Sequence, residues 1–245
     1  MSRSAREVAG EVADLFAGVF DRLRAWRGPI EQVIAGGSLR AAELDATVAD
    51  LVLPRLVEPD PLLAGAGFIA DGEVVRGRDV HFAWWLGPLE DNPVLGSTTE
   101  PTRLDLTTRG YTEYLRDFRA LEWYAIPATT SHAHVTGPFV DHLCTCDYIL
   151  TLTMPVHGRA ADGDGARMVG VVGADVAVRT LERRLLSGFL DVPEPLALVN
   201  ADGRVVLSTE PTLQVGQLAA TWSADEPCEG TPFRVLVGPA ASGSR

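Results

Sequence analysis

Val8, Val12, Leu15, Phe16, Val19, Phe20, Leu23 and Trp26 recur at spacings of three and four residues, which predicts a long amphipathic helix at the N-terminus. A helix of that length is held mainly by what covers its apolar stripe, so the rest of the chain must supply a packing surface. Gly28-Pro29 is expected to kink or end it, with the pattern resuming at Ile30, Val33 and Ile34 before Gly36-Gly37. Ser38 is expected to cap a second helix reaching about Val57 and carrying Leu39, Leu44, Val48, Leu51 and Val52. Glu7, Glu11 and Asp21 form an ordinary solvated face. The Phe16–Phe20 stripe and Trp26 read as helix packing, including packing between two copies of the helix. That is the basis for expecting a homodimer.

After Leu62 the texture changes to short apolar runs broken by Gly, Pro and Asp. Strands are predicted at 65–70, 81–87, 148–156 and 168–176, and the polar 158–166 makes the last two an antiparallel hairpin. A short helix follows over 178–189. Pro193-Glu194-Pro195 reads as a linker, Asp202-Gly203 as the turn of another hairpin, and 233–238 as one more strand. Helices followed by strands argue an α+β fold in three parts: a helical region over 1–60, a sheet domain over 61–192 and a small β-rich unit over 193–245.

Charge and composition exclude several functions. All 21 basic residues are Arg, so neither a Schiff-base lysine nor a P-loop lysine exists. The formal charge of −12 disfavours binding to nucleic acid or an anionic membrane. Charges interrupt the apolar pattern of the first residues, so neither a secretory signal nor a membrane helix is expected. Cys144, Cys146 and Cys228 form no disulfide framework, which favours reduced thiols and a cytoplasmic location. No Gly-rich loop follows a strand, and no cofactor is expected.

Residues 111–148 gather the unusual chemistry. Tyr111, Tyr114, Trp123, Tyr124 and Asp141, with Trp84 and Trp85 upstream, could form an aromatic box with a carboxylate for a small cation, or could simply pack. Trp84 and Trp85 alternate on a strand, so at most one of them faces a pocket. His132, His134, His142, Cys144 and Cys146 are the alternative: a metal-binding or hydrolytic cluster. The C-x-C spacing is not that of a usual zinc site, however, and His132 and His134 fall in an expected loop. There is no G-x-S-x-G elbow and no H-E-x-x-H helix. Asp141 could equally cap a turn, and Asp175 reads as the cap of the following helix.

Three stretches in this order carry a resemblance: Tyr114 through LEWYAIP, then TGPFVD, then TLTMPV running after a turn into MVGVVGADVAVRTLE. Together they resemble the Cache family of PAS-like ligand sensors. LALVNADGRVVLST is similar to the opening of the second, reduced lobe of a double Cache module. The resemblance implies a long helix packed on a PAS-like antiparallel sheet domain and a smaller PAS-like lobe. It also implies a non-enzymatic sensor of small molecules that signals through a partner protein. Its ligand residues would be Trp84, Tyr111, Tyr114, Trp123, Tyr124 and Asp141. Leu121 stands where the amino-acid-binding members carry an arginine clamp, and Arg116 or Arg119 would replace it only by turning inward. An amine or amino-acid-like cation is therefore the expected ligand.

Overall fold

The computed structural model describes residues 3–37, 39–72, 74–89, 96–104, 118–141, 145–159, 166–219, 222 and 224–239. Helix α1 runs unbroken from Ala5 to Ile34, with Pro29 accommodated inside it. Ser4 and Glu7 close a reciprocal capping box at its start, which satisfies two otherwise orphaned backbone donors. Helix α2 spans Ala41–Leu56 and begins after Arg40 without a side-chain cap; the expected cap, Ser38, lies outside the described residues.

Six antiparallel strands form the large sheet: β1 (Gly65–Asp71), β2 (Val80–Leu86), β3 (Thr102–Arg103), β4 (His134–Val140), β5 (Tyr148–Arg159) and β6 (Ala166–Ala177). Their spatial order is β3-β2-β1-β6-β5-β4. Helix α3 (Glu122–Thr130) precedes β4 and helix α4 (Val178–Leu190) follows β6. The second lobe carries β7 (Leu196–Val199), β8 (Val205–Ser208), β9 (Ala224–Pro227) and β10 (Arg234–Val237) in the order β8-β7-β10-β9. Without β3, the large sheet reads second-first-fifth-fourth-third, and the small sheet repeats that winding one strand short. The α+β reading and the reduced second lobe hold.

Successive residues of a strand face opposite sides, so each strand serves two environments. Ala66, Phe68 and Ala70 of β1, Leu150, Leu152 and Met154 of β5, and Val172, Ala174 and Val176 of β6 join one buried cluster with α1 and α2. Val8, Val12, Phe16, Val19, Leu23, Trp26 and Ile30 of α1 are buried in that same cluster. Phe16 packs on Phe233 of the second lobe with ring centroids 4.4 Å apart. The stripe that suggested a helix-to-helix dimer is thus consumed within one chain, because α1 spans both lobes and each needs a cover.

On α2, Asp45 accepts from His81 of β2 (2.7 Å) and from Arg103 of β3 (3.0 Å), while Arg78 donates to the other ring nitrogen of His81. That arrangement makes His81 a bridge that fastens α2 to the sheet.

Candidate functional site

Among the described residues, the helical cover on the opposite face of the large sheet is α3, nine residues long, with the short turn Phe118–Ala120 before it. Its residues follow from the register. One row across the sheet reads Leu86, Gly65, Asp175, Thr151 and Thr136; the next reads Trp84, Gly67, Gly173, Thr153 and His134. Glycine at the two centre positions of the second row lets the Trp84 indole lie against the sheet. A Cβ on Gly67 would come within 2.2 Å of the Ala83 carbonyl oxygen, and one on Gly173 would stand 3.2 Å from Trp84 Cη2.

A cleft of about 1170 Å³ opens over these rows. Ile69, Phe82, Trp84, Leu121 and Trp123 wall its apolar end, and Thr136, Asp141, Thr151 and Asp175 line its middle. Trp84 faces the cleft and Trp85 joins the helix-side core, the division that alternation requires. Trp123 stacks on Phe118 at 6.0 Å, and its carbonyl accepts from Thr153 Oγ1 at 2.7 Å, which ties α3 to the sheet.

Asp175 is buried, and its Oδ1 accepts from Thr151 Oγ1 at 2.7 Å. Burial, reinforced by the negative charge of Asp141, pushes its carboxyl up to about 8. It does not cap α4: the residue at that position is Ala177, which makes no side-chain cap bond. Asp175 shares strand parity with Val171 and Gly173, so its side chain points into the cleft rather than along the helix. A Cβ on Gly65 would sit 3.0 Å from Trp84 Nε1 and 3.3 Å from Asp175 Oδ2, so indole N–H and carboxylate flank one point of the cleft floor.

Asp141 is buried and lines the cleft while also ordering the turn after β4. Its Oδ2 accepts from Thr145 N at 2.8 Å and Thr145 Oγ1 at 3.0 Å. Both sequence readings of this residue, turn cap and cavity carboxylate, are therefore compatible with its position. Thr136 is buried, lines the cleft, and has no hydrogen-bond partner for its Oγ1 among the described residues.

Tyr124 turns away from the cleft. Its hydroxyl donates to Asp71 Oδ2, and its ring meets Phe118 edge-on at 5.0 Å. Adjacent helical residues diverge by about 100°, so Trp123 and Tyr124 cannot share one face. Arg119 likewise turns outward: it forms ion pairs with Asp71 and with Asp79 (2.9 Å) rather than replacing the absent clamp at Leu121. Burial pushes the Asp71 carboxyl up, but the hydrogen bonds from Arg119 and Tyr124 bring it net below its usual range. Tyr111, Tyr114 and Arg116 lie outside the described residues.

His142 and Cys144 of the alternative cluster also lie outside the described residues. His132 is exposed, and His134 starts an edge strand instead of sitting in a loop. Burial lowers the His134 pKa against the opposing charges of Glu122 and Asp202. Among the described residues no three His, Cys, Asp or Glu side chains come together as a metal site.

No family model and no curated protein matches the sequence significantly. Solved structures match nearly the whole fold. One described as "Methyl-accepting Chemotaxis protein X" aligns at a TM-score of 0.65 and 16% identity over 95% of this chain and 93% of its own. The fold is of the Cache type. The ligand-binding domain of the Pseudomonas aeruginosa amino-acid chemoreceptor PctC, in complex with GABA, shares it at TM-score 0.60 and 18% identity over 96% of each chain. So does the extracellular domain of soHK1S-Z6, named as a histidine kinase, at TM-score 0.61 and 12% identity over 96% of this chain and 92% of that one. Within this Cache-type fold, no helix among the described residues is long and apolar enough to cross a membrane.

Proposed function

We propose that this chain is a non-enzymatic small-molecule sensor whose cleft binds an amine. The observation that carries the reading is the pair Asp141 and Asp175, two buried carboxylates lining one cavity together with the Trp84 and Trp123 rings. The Asp175 carboxyl, whose proton affinity is raised by burial and by the neighbouring Asp141 charge, is relieved by a cation placed between the two, and aromatic faces add attraction of about 0.5–2 kcal/mol. The unpartnered Thr136 hydroxyl offers an acceptor to an ammonium N–H. The lining supports the same sign of charge, since among the described residues Glu122, Asp141, Asp175 and Asp202 line it beside a single guanidinium, that of Arg204. The GABA carried by the PctC domain, itself an amine, favours this class.

In this reading, Trp84, Trp123, Asp141 and Asp175 contact the ligand, while Tyr124 supports α3 from behind. Binding alters the surface offered to a regulatory partner, as the receptor and kinase relatives suggest. Cell fractionation decides between the cytoplasm, expected from the sequence, and the extracellular setting of the soHK1S-Z6 domain. The direct test is a thermal-shift screen of amines, amino acids and carboxylates. An amine at 100 times its dissociation constant adds about 2.7 kcal/mol. The shift should vanish in Asp175→Asn; a screen in which only carboxylates stabilise the protein would refute the amine site.

A further inference from the structure

The cleft is much larger than an ammonium group and a short apolar body require. Its volume, about 1170 Å³, exceeds the usual range for drug-sized ligands, roughly 300–1,000 Å³. The excess lies towards the second lobe, where the cavity passes the Gly137–Val140 segment and reaches Arg204 and Gln217. Arg204 is the one basic side chain among the described lining residues. Its NH1 donates to the Gly216 carbonyl at 3.1 Å, and no carboxylate pairs with it among the described residues. Asp202 lines the cavity from the same hairpin, but its charge acts on His134 and it makes no salt bridge to Arg204.

The position of Arg204 is fixed relative to the acidic end. Asn200 Oδ1 accepts from the Arg204 backbone N–H at 2.8 Å, while Asn200 Nδ2 donates to the Gly137 carbonyl at 2.8 Å. Gly137 follows Thr136, which pairs in register with Thr151, which in turn pairs with Asp175. From Asp175 to Thr136 is two inter-strand steps, roughly 10 Å, and Arg204 lines the same cavity from the second lobe. The cavity thus has carboxylates at one station and a guanidinium with free donors at another, with polar lining between them.

We propose that the cleft takes a ligand charged at both ends: an ω-amino carboxylate of four or more carbons, its ammonium at Asp141 and Asp175 and its carboxylate at Arg204. An α-amino acid holds both charges on one carbon and cannot span the two stations. With Leu121 beside its apolar end, the cavity offers that compact pair no second cation among the described residues. The inference rests on the amine reading above and adds the second lobe to the binding site.

Titration calorimetry of the intact chain at pH 8 tests it, using glycine, 4-aminobutanoate, 6-aminohexanoate and 8-aminooctanoate beside n-alkylamines of matching length. The expected result is an amino acid of four or more carbons binding at least tenfold tighter than its matched alkylamine. Arg204→Gln should bring that amino acid down to the alkylamine level, and Arg204→Lys should restore part of the gap. Arg204 is exposed, so an unchanged melting temperature is expected for both variants and checks their folding. If alkylamines bind as tightly as the amino acids, or if Arg204→Gln weakens both series by the same factor, the two-ended ligand is overturned while the amine site stands. If neither series binds, the amine reading falls and this inference with it.

Discussion

The two faces of the large sheet are built from the same strands and differ in kind. Towards α1 and α2, β1, β5 and β6 present Ala66, Phe68, Ala70, Leu150, Leu152, Met154, Val172, Ala174 and Val176, all apolar and all buried. Towards the cleft, the alternate positions present Gly65, Gly67, Ile69, Thr151, Thr153, Gly173 and Asp175. Side chains on the first face interlock at interior density, so stability resides there. The second face leaves space where a core would have volume, and places a carboxyl and hydroxyls where burial penalises them. Polar groups in the middle of a buried sheet, next to a void, mark the face that stability alone does not explain.

The largest predicted effects separate the faces most directly. Phe68→Ala on the helix side removes a fully buried ring and should cost about 3–5 kcal/mol in chemical denaturation. Asp175→Asn on the cleft side keeps the shape and the Thr151 contact, so at pH 8 it should leave stability unchanged or raise it. The same change should lower amine affinity by about a hundredfold, on the scale of a charged hydrogen bond and its Coulomb attraction. If Asp175→Asn is as destabilising as Phe68→Ala, the cleft face is ordinary core and the comparison fails.

A smaller, continuous effect comes from pH. The Asp175 carboxyl binds its proton more tightly folded than unfolded, with a folded value of about 8 against an ordinary value of 3.8. Between those values the native state holds a proton that the unfolded state has released, so ligand-free stability should fall as pH rises from about 4 to 8. The slope from this group is at most about 1.4 kcal/mol per pH unit. Amine affinity should move the other way and strengthen towards pH 8, because the cation then displaces no proton. Melting curves from pH 5 to 8.5, with and without a saturating amine, read both trends. Asp175→Asn should flatten the first.

Much of this architecture was legible in the residues because its driving patterns are local. The helical stripe of α1 and the apolar runs of β1, β2, β5 and β6 declare their period within a few residues. Strand β4, HVTGPFV, falls where the sequence suggests a loop around His132 and His134; it is an edge strand whose register shifts between Thr136 and Phe139, at Gly137 and Pro138. Strand β9, ADEP, is a polar edge whose only signal is its partner β10. The site was half visible: alternation separated Trp84 from Trp85. Strand parity could also have turned Asp175 into the cleft, had it not been read as a helix cap. Tyr124 could have been excluded by its adjacency to Trp123. The outward ion pairs of Arg119 could not, since Asp71 and Asp79 approach it only through the fold.

The finest division between the two faces is a single hydroxyl. Thr136 Oγ1 is buried at the cleft without a partner among the described residues, and an unsatisfied buried hydroxyl costs about 1–3 kcal/mol. Valine has the same shape, suits a strand and removes that penalty, so Thr136→Val should leave the melting temperature unchanged or raise it slightly. On the helix-side face the threonine would be a defect and its removal would have no further consequence. On the cleft face it is an acceptor held ready for a ligand, and calorimetry should show amine affinity falling by about tenfold, the low end of the worth of a hydrogen bond to a charged group. A variant that is more stable and binds amines as well as the parent would return Thr136 to the category of packing. One that is more stable and binds less well places it in the site, with stability and binding pulling in opposite directions on one atom.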